Sequence, residues 1–394
     1  MKQEVRNITD QKEYRFTFQN PGKIVFGKGA IKNLKYELLA LGVSRPLLVT
    51  DEALAGSSMV ASVKAALGSS LAGVFDRVIP DSGVELVNEG AALAREVKAD
   101  AVVSVGGGSS MDTAKGVAVL LKKNIKDVRQ VIGFFKVKES PVPHIAIPTT
   151  AGTGSEVTFM AVIKDWEKNV KSIIVDNAII PPVGILDPEL LLGLPPLLTA
   201  STGMDAMTHA VEAMISTNHM PPADALAGHA IGLLIEFLPN AVTNGSDLEA
   251  RSMTLIASAE AGQAFQNALV GVVHALSHAL GGMFGVPHGM ANAMFLAEGM
   301  AYNLPAAAPR LAAVARAMGI PSSNNDQKDG EAAITKMRQF SQSLGLPQKL
   351  SEVKVDPARL EDCAKLALAD AALFTNPRRP SGHQELLQIY RARL

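Results

Sequence analysis

Segments typical of β-strands occur only in the first half of this 394-residue chain. There, short runs rich in β-branched residues, such as RPLLVTD at 45–51 and DAVVSV at 100–105, alternate with segments whose apolar residues recur at helical spacing. This alternation is typical of βαβ units on a parallel sheet. From about residue 196 onward, Ala, Met and Leu at helical spacing dominate. The sequence therefore predicts an α/β domain followed by an all-helical domain.

The segment GLPPLLTASTG, residues 193–203, marks the expected boundary between the two domains. Its two prolines interrupt regular structure, and its Ser and Thr residues are typical of a helix N-cap. We therefore expect one domain over residues 1–195 and a second over residues 196–394. Hydrophobic residues make up 47% of the chain and charged residues 19%, a composition that can bury large cores.

The charge of the chain argues against nucleic-acid and membrane partners. The formal net charge is -1, and the sequence has no basic field for nucleic acid and no polybasic segment for anionic lipid. The most membrane-like stretch, residues 261–297, contains three histidines and is broken by GVPHG, so we expect it to be a buried helical core. Small molecules are the expected partners.

The N-terminus and the cysteine content indicate a cytoplasmic protein. The first 23 residues are polar and lack the apolar region of a signal peptide. Cys363 is the only cysteine of the chain, which excludes an internal disulfide and a cysteine-based metal site. Both features favour a reducing compartment.

Two glycine-rich loops follow predicted strands. VSVGGGSSMDTAKG places three glycines between a strand and a helix, where the backbone can approach a phosphate and the helix N-terminus offers free N–H groups. PTTAGTGSE, at residues 148–156, is a second strand-to-loop transition that is rich in hydroxyls. A tight turn is the alternative for the first loop, which also departs from the GxGxxG fingerprint. Two such loops favour a dinucleotide.

Asp51 ends the first clear strand, LLVTD. An acidic side chain at this position can accept hydrogen bonds from the adenosine ribose of a dinucleotide, and it would oppose the 2′-phosphate of NADP. This interpretation predicts a preference for NAD. The alternative is a simple cap for the following segment, EALAGSSM.

Three of the eight histidines, His274, His278 and His288, lie within GVVHALSHALGGMFGVPHG. Buried histidines often only satisfy their nitrogens against backbone, so a structural role is the alternative. A second helix, STGMDAMTHAVEAMIS, carries Asp205, His209 and Glu212 on one stripe among apolar neighbours, although charged helix residues are commonly solvated. Together the two segments predict a sulfur-free site for Fe²⁺ or Zn²⁺.

Five motifs, in their order and spacing, resemble the iron-containing (group III) alcohol dehydrogenase family: GGGSSMDTAKG, PTTAGTGSEVT, GMDAMTHAVE, HALSHALG and PHGMANA. The resemblance extends from about residue 15 to NPRRPSG near the C-terminus. It implies a Rossmann-like N-terminal domain that binds the dinucleotide and an all-helical catalytic domain that binds the metal, an architecture shared with dehydroquinate synthase. It also implies an active site in the cleft between them.

The resemblance also implies roles for individual residues. The implied metal ligands are Asp205, His209, His274 and His288, with His278 beside the metal as a proton relay. The spacing of the residues alone does not decide which of the histidines is not a metal ligand. A PDSG turn replaces the Asn-Pro-Thr turn of many relatives, which weakens the expectation for Asp81. The implied NAD(H) contacts are Asp51, Asp81, Gly107, Gly108, Ser109, Thr149, Thr150, Thr158 and Lys171.

The implied reaction is hydride transfer between nicotinamide and an alcohol that ionises on Fe²⁺, with Zn²⁺ as the alternative metal. A lyase of the dehydroquinate synthase type needs cationic clamps, but Arg251 is the only basic residue between Lys171 and Arg310. Two further alternatives explain less of the sequence. A metal-dependent phosphohydrolase would have no use for the two glycine loops, and a nucleotide-binding sensor would have no use for the Asp and His residues. We therefore expect small uncharged alcohols and aldehydes as substrates, and a homodimer or larger homo-oligomer.

Overall fold

The computed structural model describes residues 15–19, 22–167 and 170–394. Residues 1–14 and 20–21 of the polar N-terminus lie outside the described residues. So do Lys168 and Asn169 of the polar segment WEKN, for which the sequence predicts a hairpin turn between the runs TFMAVIKD and VKSIIVD. The N-terminal half contains a six-stranded, fully parallel sheet with the strand order β1-β9-β6-β4-β2-β3. Its strands are β1 (Lys23–Phe26), β2 (Pro46–Asp51), β3 (Gly73–Val78), β4 (Ala101–Gly106), β6 (His144–Pro148) and β9 (Val183–Leu186).

Helices cover this sheet, and β4 and β6 are buried along their whole length. Parallel strands covered on both faces read as continuous apolar runs, which explains why the sequence revealed them. The sequence predicts a helix over MDTAKGVAVLLKK, but the helix after the triple glycine already begins at Gly108, so the last glycine lies in its first turn. The helices are α1 (Leu34–Ala40), α2 (Ser58–Leu67), α3 (Val84–Glu96) and α4 (Gly108–Lys123).

A second, three-stranded sheet contains the predicted hairpin. β7 (Met160–Asp165) and β8 (Val170–Val175) pair in antiparallel register, and the short β5 (Gly133–Phe134) pairs with β8. β7 also packs against α4, so this small sheet is attached to the helix that follows the first glycine loop.

The C-terminal half is helical, and no strand follows Leu186 in the part of the chain that the structure describes. These helices enclose one large apolar core. The division into domains at residues 195 and 196 stays a prediction. The helices are α5 (Pro196–Ile215), α6 (Pro221–Thr243), α7 (Leu248–Ala268), α8 (Val272–Phe284), α9 (His288–Ala317), α10 (Asp326–Ser343), α11 (Leu360–Leu368) and α12 (His383–Arg391).

The predicted Ser/Thr cap of α5 is wrong. Pro195 occupies the N-cap position without a side-chain hydrogen bond, and the hydroxyls of the cluster lie inside the helix. Arg251 of α7 instead donates to the carbonyl of Leu194 at 3.1 Å and to the hydroxyl of Thr199 at 2.7 Å. The guanidinium of Arg251 therefore binds groups at the start of α5. Because Arg251 is distant from α5 in the sequence, rules that consider only the residues next to a helix end do not predict this contact.

The most membrane-like helix differs from the one expected. By length and composition α6 could cross a membrane, with 39% of its most apolar 18-residue window buried in the fold. The expected stretch is instead divided among α7, α8 and α9, and α7 and α8 meet at a 103° bend. Long apolar helices of this kind also occur in the cores of soluble proteins.

Candidate active site

Three helices bring the predicted metal ligands to one place. Asp205 and His209 lie one turn apart on α5, His274 lies in the first turn of α8, and His288 begins α9. Ligand atoms of Asp205, His209 and His274 lie within 4.8 Å of one another, and all three side chains are buried. Nε2 of His288 lies 3.4 Å from Oδ1 of Asp205. The structure thus brings together all four residues that the resemblance proposed.

The rings of the cluster pack against each other and against one aromatic side chain. His209 stacks on Phe265 with 4.1 Å between ring centroids, and on His274 with 4.7 Å. His278 lies beside the cluster, with its ring 5.3 Å from that of His288. Its Nδ1 lies 2.9 Å from a carboxylate oxygen of Asp370, and the side chain is more exposed than the others. His278 is therefore placed to exchange protons with solvent.

The charges of the cluster suit a divalent cation. Burial lowers the pKa of His274 and of His288 well below the ordinary value, so both imidazoles are neutral and have a lone pair to offer. Burial raises the pKa of Asp205, but the facing histidines and a hydrogen bond from Asn292 outweigh burial, and the net pKa is lowered. One carboxylate and three imidazoles form a donor set that iron and zinc both accept.

Glu212 fixes the orientation of His274. Its two carboxylate oxygens accept hydrogen bonds from the backbone N–H groups of Gly271 at 2.8 Å and Val273 at 2.7 Å. One of them also lies 2.6 Å from Nδ1 of His274, which leaves Nε2 of that ring for a metal. The sequence indicated Glu212 on the same stripe as Asp205, but not this role.

Two asparagines around the cluster were missed by the sequence analysis. Asn292, one turn after His288 on α9, lies with its amide nitrogen 2.7 Å from Oδ1 of Asp205 and 3.1 Å from Nε2 of His288. Asn376 accepts a hydrogen bond from the backbone of Val272 at 3.0 Å and so completes the start of α8. The i,i+4 spacing of His288 and Asn292 was the available signal for the first, whereas nothing local indicated the second.

The predicted cofactor loops meet at one edge of the large sheet. The neighbouring strands β2, β4 and β6 end there at Asp51, Gly106 and Pro148. Gly106 has φ +151°, a backbone conformation that favours glycine, and it turns the chain into α4. Gly107 provides no side-chain cap, so the first N–H groups of α4 remain available to an anion.

The predicted contacts from Asp81, Ser109 and Lys171 form one small network at this edge. The hydroxyl of Ser109 accepts a hydrogen bond from the backbone N–H of Asp81 at 3.2 Å. The carboxylate of Asp81 forms an ion pair with the ammonium of Lys171 at 2.7 Å. Asp81 adopts φ +55°, a backbone conformation that is uncommon for residues other than glycine.

The remaining predicted contacts lie on the same edge. One oxygen of Asp51 accepts a hydrogen bond from the backbone N–H of Leu54 at 2.9 Å, so Asp51 also caps the segment that follows it. Its other oxygen faces Gly106. In the second loop, the Thr149 N–H donates to the Gly106 carbonyl at 3.1 Å, and Thr150 and Thr158 follow in that loop. Gly107 and Gly108 lie directly against this second loop.

The second glycine loop also contacts the metal-bearing helices. A Cβ atom on Gly152 would lie 2.7 Å from Cβ of Thr202 on α5, and one on Gly154 would lie 2.7 Å from Cα of Gly262 on α7. Gly154 also has φ +60°. The loop therefore joins the sheet edge to α5, one turn before Asp205.

Comparison with known proteins decides the family. The family description "Iron-containing alcohol dehydrogenase" matches residues 21–188, and the C-terminal description of the iron-containing alcohol dehydrogenase family matches residues 199–394. The chain belongs to the iron-containing alcohol dehydrogenase family. This confirms the predicted class, a metal-dependent, NAD-linked alcohol dehydrogenase or aldehyde reductase, together with its α/β and all-helical architecture.

Individual relatives of this alcohol dehydrogenase align over nearly the whole chain. The NAD-dependent methanol dehydrogenase of Bacillus methanolicus is 38% identical, covering 91% of this chain and 94% of its own. The 1,3-propanediol dehydrogenase of Klebsiella pneumoniae is 39% identical, covering 95% and 98%. The solved structure of an alcohol dehydrogenase from Oenococcus oeni is 36% identical with a TM-score of 0.93, covering 96% and 100%.

Proposed function

We propose that this enzyme oxidises small uncharged alcohols and reduces the corresponding aldehydes with NAD(H). The proposal depends mainly on the position of the second glycine loop. This loop lies at the sheet edge where the dinucleotide would bind, and it also contacts α5, the helix that carries Asp205 and His209. The metal, bound by Asp205, His209, His274 and His288, would supply Lewis acidity at the substrate oxygen, and the nicotinamide would supply or accept the hydride.

The residues of the chain bind, orient and move protons around that chemistry. Glu212 and Asn292 orient the ligand side chains, and the two glycine loops with Asp51, Asp81 and Lys171 hold the dinucleotide. His278, whose Nδ1 is bonded to Asp370, passes the alcohol proton to solvent and returns it in the aldehyde reduction.

The preference for uncharged substrates follows from the positions of the basic side chains. Arg251 is the only basic residue between Lys171 and Arg310. It is buried, and its guanidinium donates to the carbonyls of Leu194 and Gly245 and to Thr199. Lys171 is already paired with Asp81. Between residues 172 and 309, all of which the structure describes, Arg251 is thus the only Lys or Arg side chain that a carboxylated or phosphorylated substrate could meet, and its guanidinium is already used.

The test combines metal analysis with cofactor binding. His274→Ala and His288→Ala should each lose bound iron and the NADH absorbance change with small alcohols, while NADH still binds because the glycine loops are on the sheet. The exposed His229→Ala should match wild type.

Wild-type metal stoichiometry in both cluster variants would contradict the ligand assignment, and preference for a carboxylated aldehyde would contradict the substrate class. Iron and zinc reconstitution of the wild type distinguishes the two metals.

We also propose that two copies of the chain pair through β1. Among the strands that the structure describes, β1 lies at one edge of the large sheet, and its Ile24 and Phe26 are exposed, as are Tyr36 and Leu39 of α1. An exposed apolar edge strand is a template for pairing with another chain. Phe26→Asp should yield monomers in light scattering, whereas Leu366→Asp, on the exposed face of α11, should not. An unchanged mass for Phe26→Asp would reject this interface.

We also propose that the enzyme is located in the cytoplasm. The buried, unpaired Cys363 is compatible with a reducing compartment. Fractionation of the producing cells tests it, and recovery of the activity with membranes would contradict it.

A further inference from the structure

Asn303 and Asn376 form a reciprocal pair of hydrogen bonds through their side-chain amides. Nδ2 of Asn303 donates to Oδ1 of Asn376 at 3.0 Å, and Nδ2 of Asn376 donates to Oδ1 of Asn303 at 2.8 Å. Asn303 lies in the middle of α9, Asn376 lies between α11 and α12, and both residues are at most 2% exposed. A buried amide without partners is destabilising, so each side chain depends on the other. The pair therefore attaches the chain after α11 to α9.

Two backbone groups set the orientation of both amides. The N–H of Val272, at the start of α8, donates to Oδ1 of Asn376 at 3.0 Å, and the N–H of Arg378 donates to Oδ1 of Asn303 at 3.3 Å. A backbone N–H can only donate, so the side-chain atom that faces it in each asparagine is the oxygen. Nδ2 of Asn376 also donates to the carbonyl of Arg378 at 2.6 Å. The pair thus connects α8, α9 and the chain after α11.

The start of α8 has three consecutive N–H groups that are bound by side chains from elsewhere in the chain. Glu212 accepts hydrogen bonds from Gly271 and Val273. Asn376 accepts from Val272, which lies between them. A Cβ atom on Gly271 would lie 2.7 Å from Oδ1 of Asn376 and 3.0 Å from a carboxylate oxygen of Glu212, so both acceptors need glycine here. Together they fix the turn of α8 that carries a proposed metal ligand.

The segment of residues 370–378, which contains the second asparagine of the pair, contacts α8 and the connection before it at two further points. A carboxylate oxygen of Asp370 lies 2.9 Å from Nδ1 of His278. The hydroxyl of Thr375 donates to the carbonyl of Val270 at 2.9 Å. The same segment therefore binds the start of α8 and the proposed proton relay on that helix.

A glycine on α9 brings that helix close to the start of α8. A Cβ atom on Gly299 would lie 2.4 Å from a methyl carbon of Val273 and 3.3 Å from a methyl carbon of Val272. Gly299 lies one turn before Asn303, so Asn303 belongs to the part of α9 that packs on the start of α8. Side chains packed this closely leave little room for the segment to shift once the amide pair has formed.

We propose that Asn303 is a positioning residue for the reaction, because it holds Asn376, and with it the 370–378 segment, on α8. In that position the segment keeps the first turn of α8 directed at the metal and keeps Asp370 on His278. The proposal rests on the proposed function, because it assumes that α8 contributes a metal ligand and a proton relay. Neither asparagine of the pair is itself a proposed ligand or cofactor contact.

The experiment measures the metal dissociation constant of the full chain by competition with a chelator, the NADH dissociation constant by fluorescence, and kcat at saturating metal. Asn303→Leu keeps the branched shape of the side chain and removes its donors and its acceptor. We expect the metal dissociation constant to rise about tenfold and kcat to fall about tenfold. NADH affinity should stay at the wild-type value, because the glycine loops lie on the sheet. Asn177→Leu, the same exchange at an exposed position after β8, is the matched control and should behave like wild type.

A double-mutant cycle tests whether Asn303 acts through Asn376. If it does, the double leucine variant should bind metal only as weakly as Asn376→Leu alone. Effects that multiply in the double variant would overturn the proposal, and so would a lower Tm of Asn303→Leu with wild-type metal affinity and kcat. Should the leucine variants fail to fold, the alanine variants make the same comparison with a smaller side chain, and wild-type metal affinity in Asn303→Ala would also overturn it. If wild type itself does not bind metal, the proposed function fails instead.

Discussion

Glu212 and His274 form a hydrogen bond of 2.6 Å in which both side chains are at most 4% exposed. The carboxylate comes from the last two turns of α5 and the imidazole from the first turn of α8. A buried carboxylate on Nδ1 makes Nε2 the nitrogen that faces the cluster and increases its basicity as a ligand. The geometry of the proposed metal site therefore depends on a residue that would not itself bind the metal.

Glu212→Gln tests this dependence. The amide has the same shape but no charge, and one of its two terminal groups cannot accept from the backbone N–H groups of α8. We expect metal affinity to fall by about 10- to 100-fold, measured by competition with a chelator. Glu236→Gln, on the exposed face of α6, is the control. Wild-type metal affinity in Glu212→Gln would show that Glu212 only caps α8.

His278→Ala should slow turnover without emptying the metal site. General acid or base catalysis contributes about 10²- to 10⁴-fold, so kcat should fall by about 100-fold or more while bound metal stays near wild type. Asp370→Asn, which removes the charge beside Nδ1, should give a smaller loss of kcat. Full activity of His278→Ala from pH 6 to pH 10 would make His278 a packing residue.

Asp51→Asn should narrow the preference for NAD over NADP. The free oxygen of Asp51 faces Gly106 at the sheet edge, where it would oppose the 2′-phosphate of NADP. We expect kcat/KM with NADPH to rise about tenfold, equivalent to 1.4 kcal/mol, with alcohol specificity unchanged. The amide can still accept from Leu54, so Asn separates charge from capping, whereas Asp51→Gly removes both. If the ratio of kcat/KM for NADH to kcat/KM for NADPH were unchanged in both variants, residues other than Asp51 would determine the cofactor preference.

Glu385 should stabilise the C-terminal helices only above acidic pH. Hydrogen bonds from Ser381 and Tyr302, together with Arg378, lower the pKa of Glu385 to about 2. Because the folded-state pKa lies below that of the unfolded chain, about 4.3, the stabilisation is complete above that value and is lost as the pH falls toward 2. The Tm difference between wild type and Glu385→Gln should shrink from pH 5 to pH 2.5. Glu249→Gln, exposed at the start of α7, should show no such trend; a pH-independent difference for Glu385→Gln would contradict the prediction.

Much of the fold could be predicted from the sequence because its signals are local. The buried parallel strands read as apolar runs, and the helices after residue 196 read as apolar stripes. The predicted cofactor residues came together because adjacent parallel strands end at one edge of a sheet, so a residue placed after a strand is placed at that edge. The motifs with their order and spacing indicated the family, which comparison then confirmed.

The tertiary structure decided which side chains act on one another. Glu212 and His274 are 62 positions apart, His278 and Asp370 are 92 apart, and Asp81 and Lys171 are 90 apart, so no periodicity relates them. The sequence showed Lys115 and Asp112 only as part of a motif, whereas the hydrogen bonds that join both side chains to Ser155 exist only because the second loop packs against α4. A hydrogen bond needs two groups within about 3 Å, and only the packing of distant segments determines that distance.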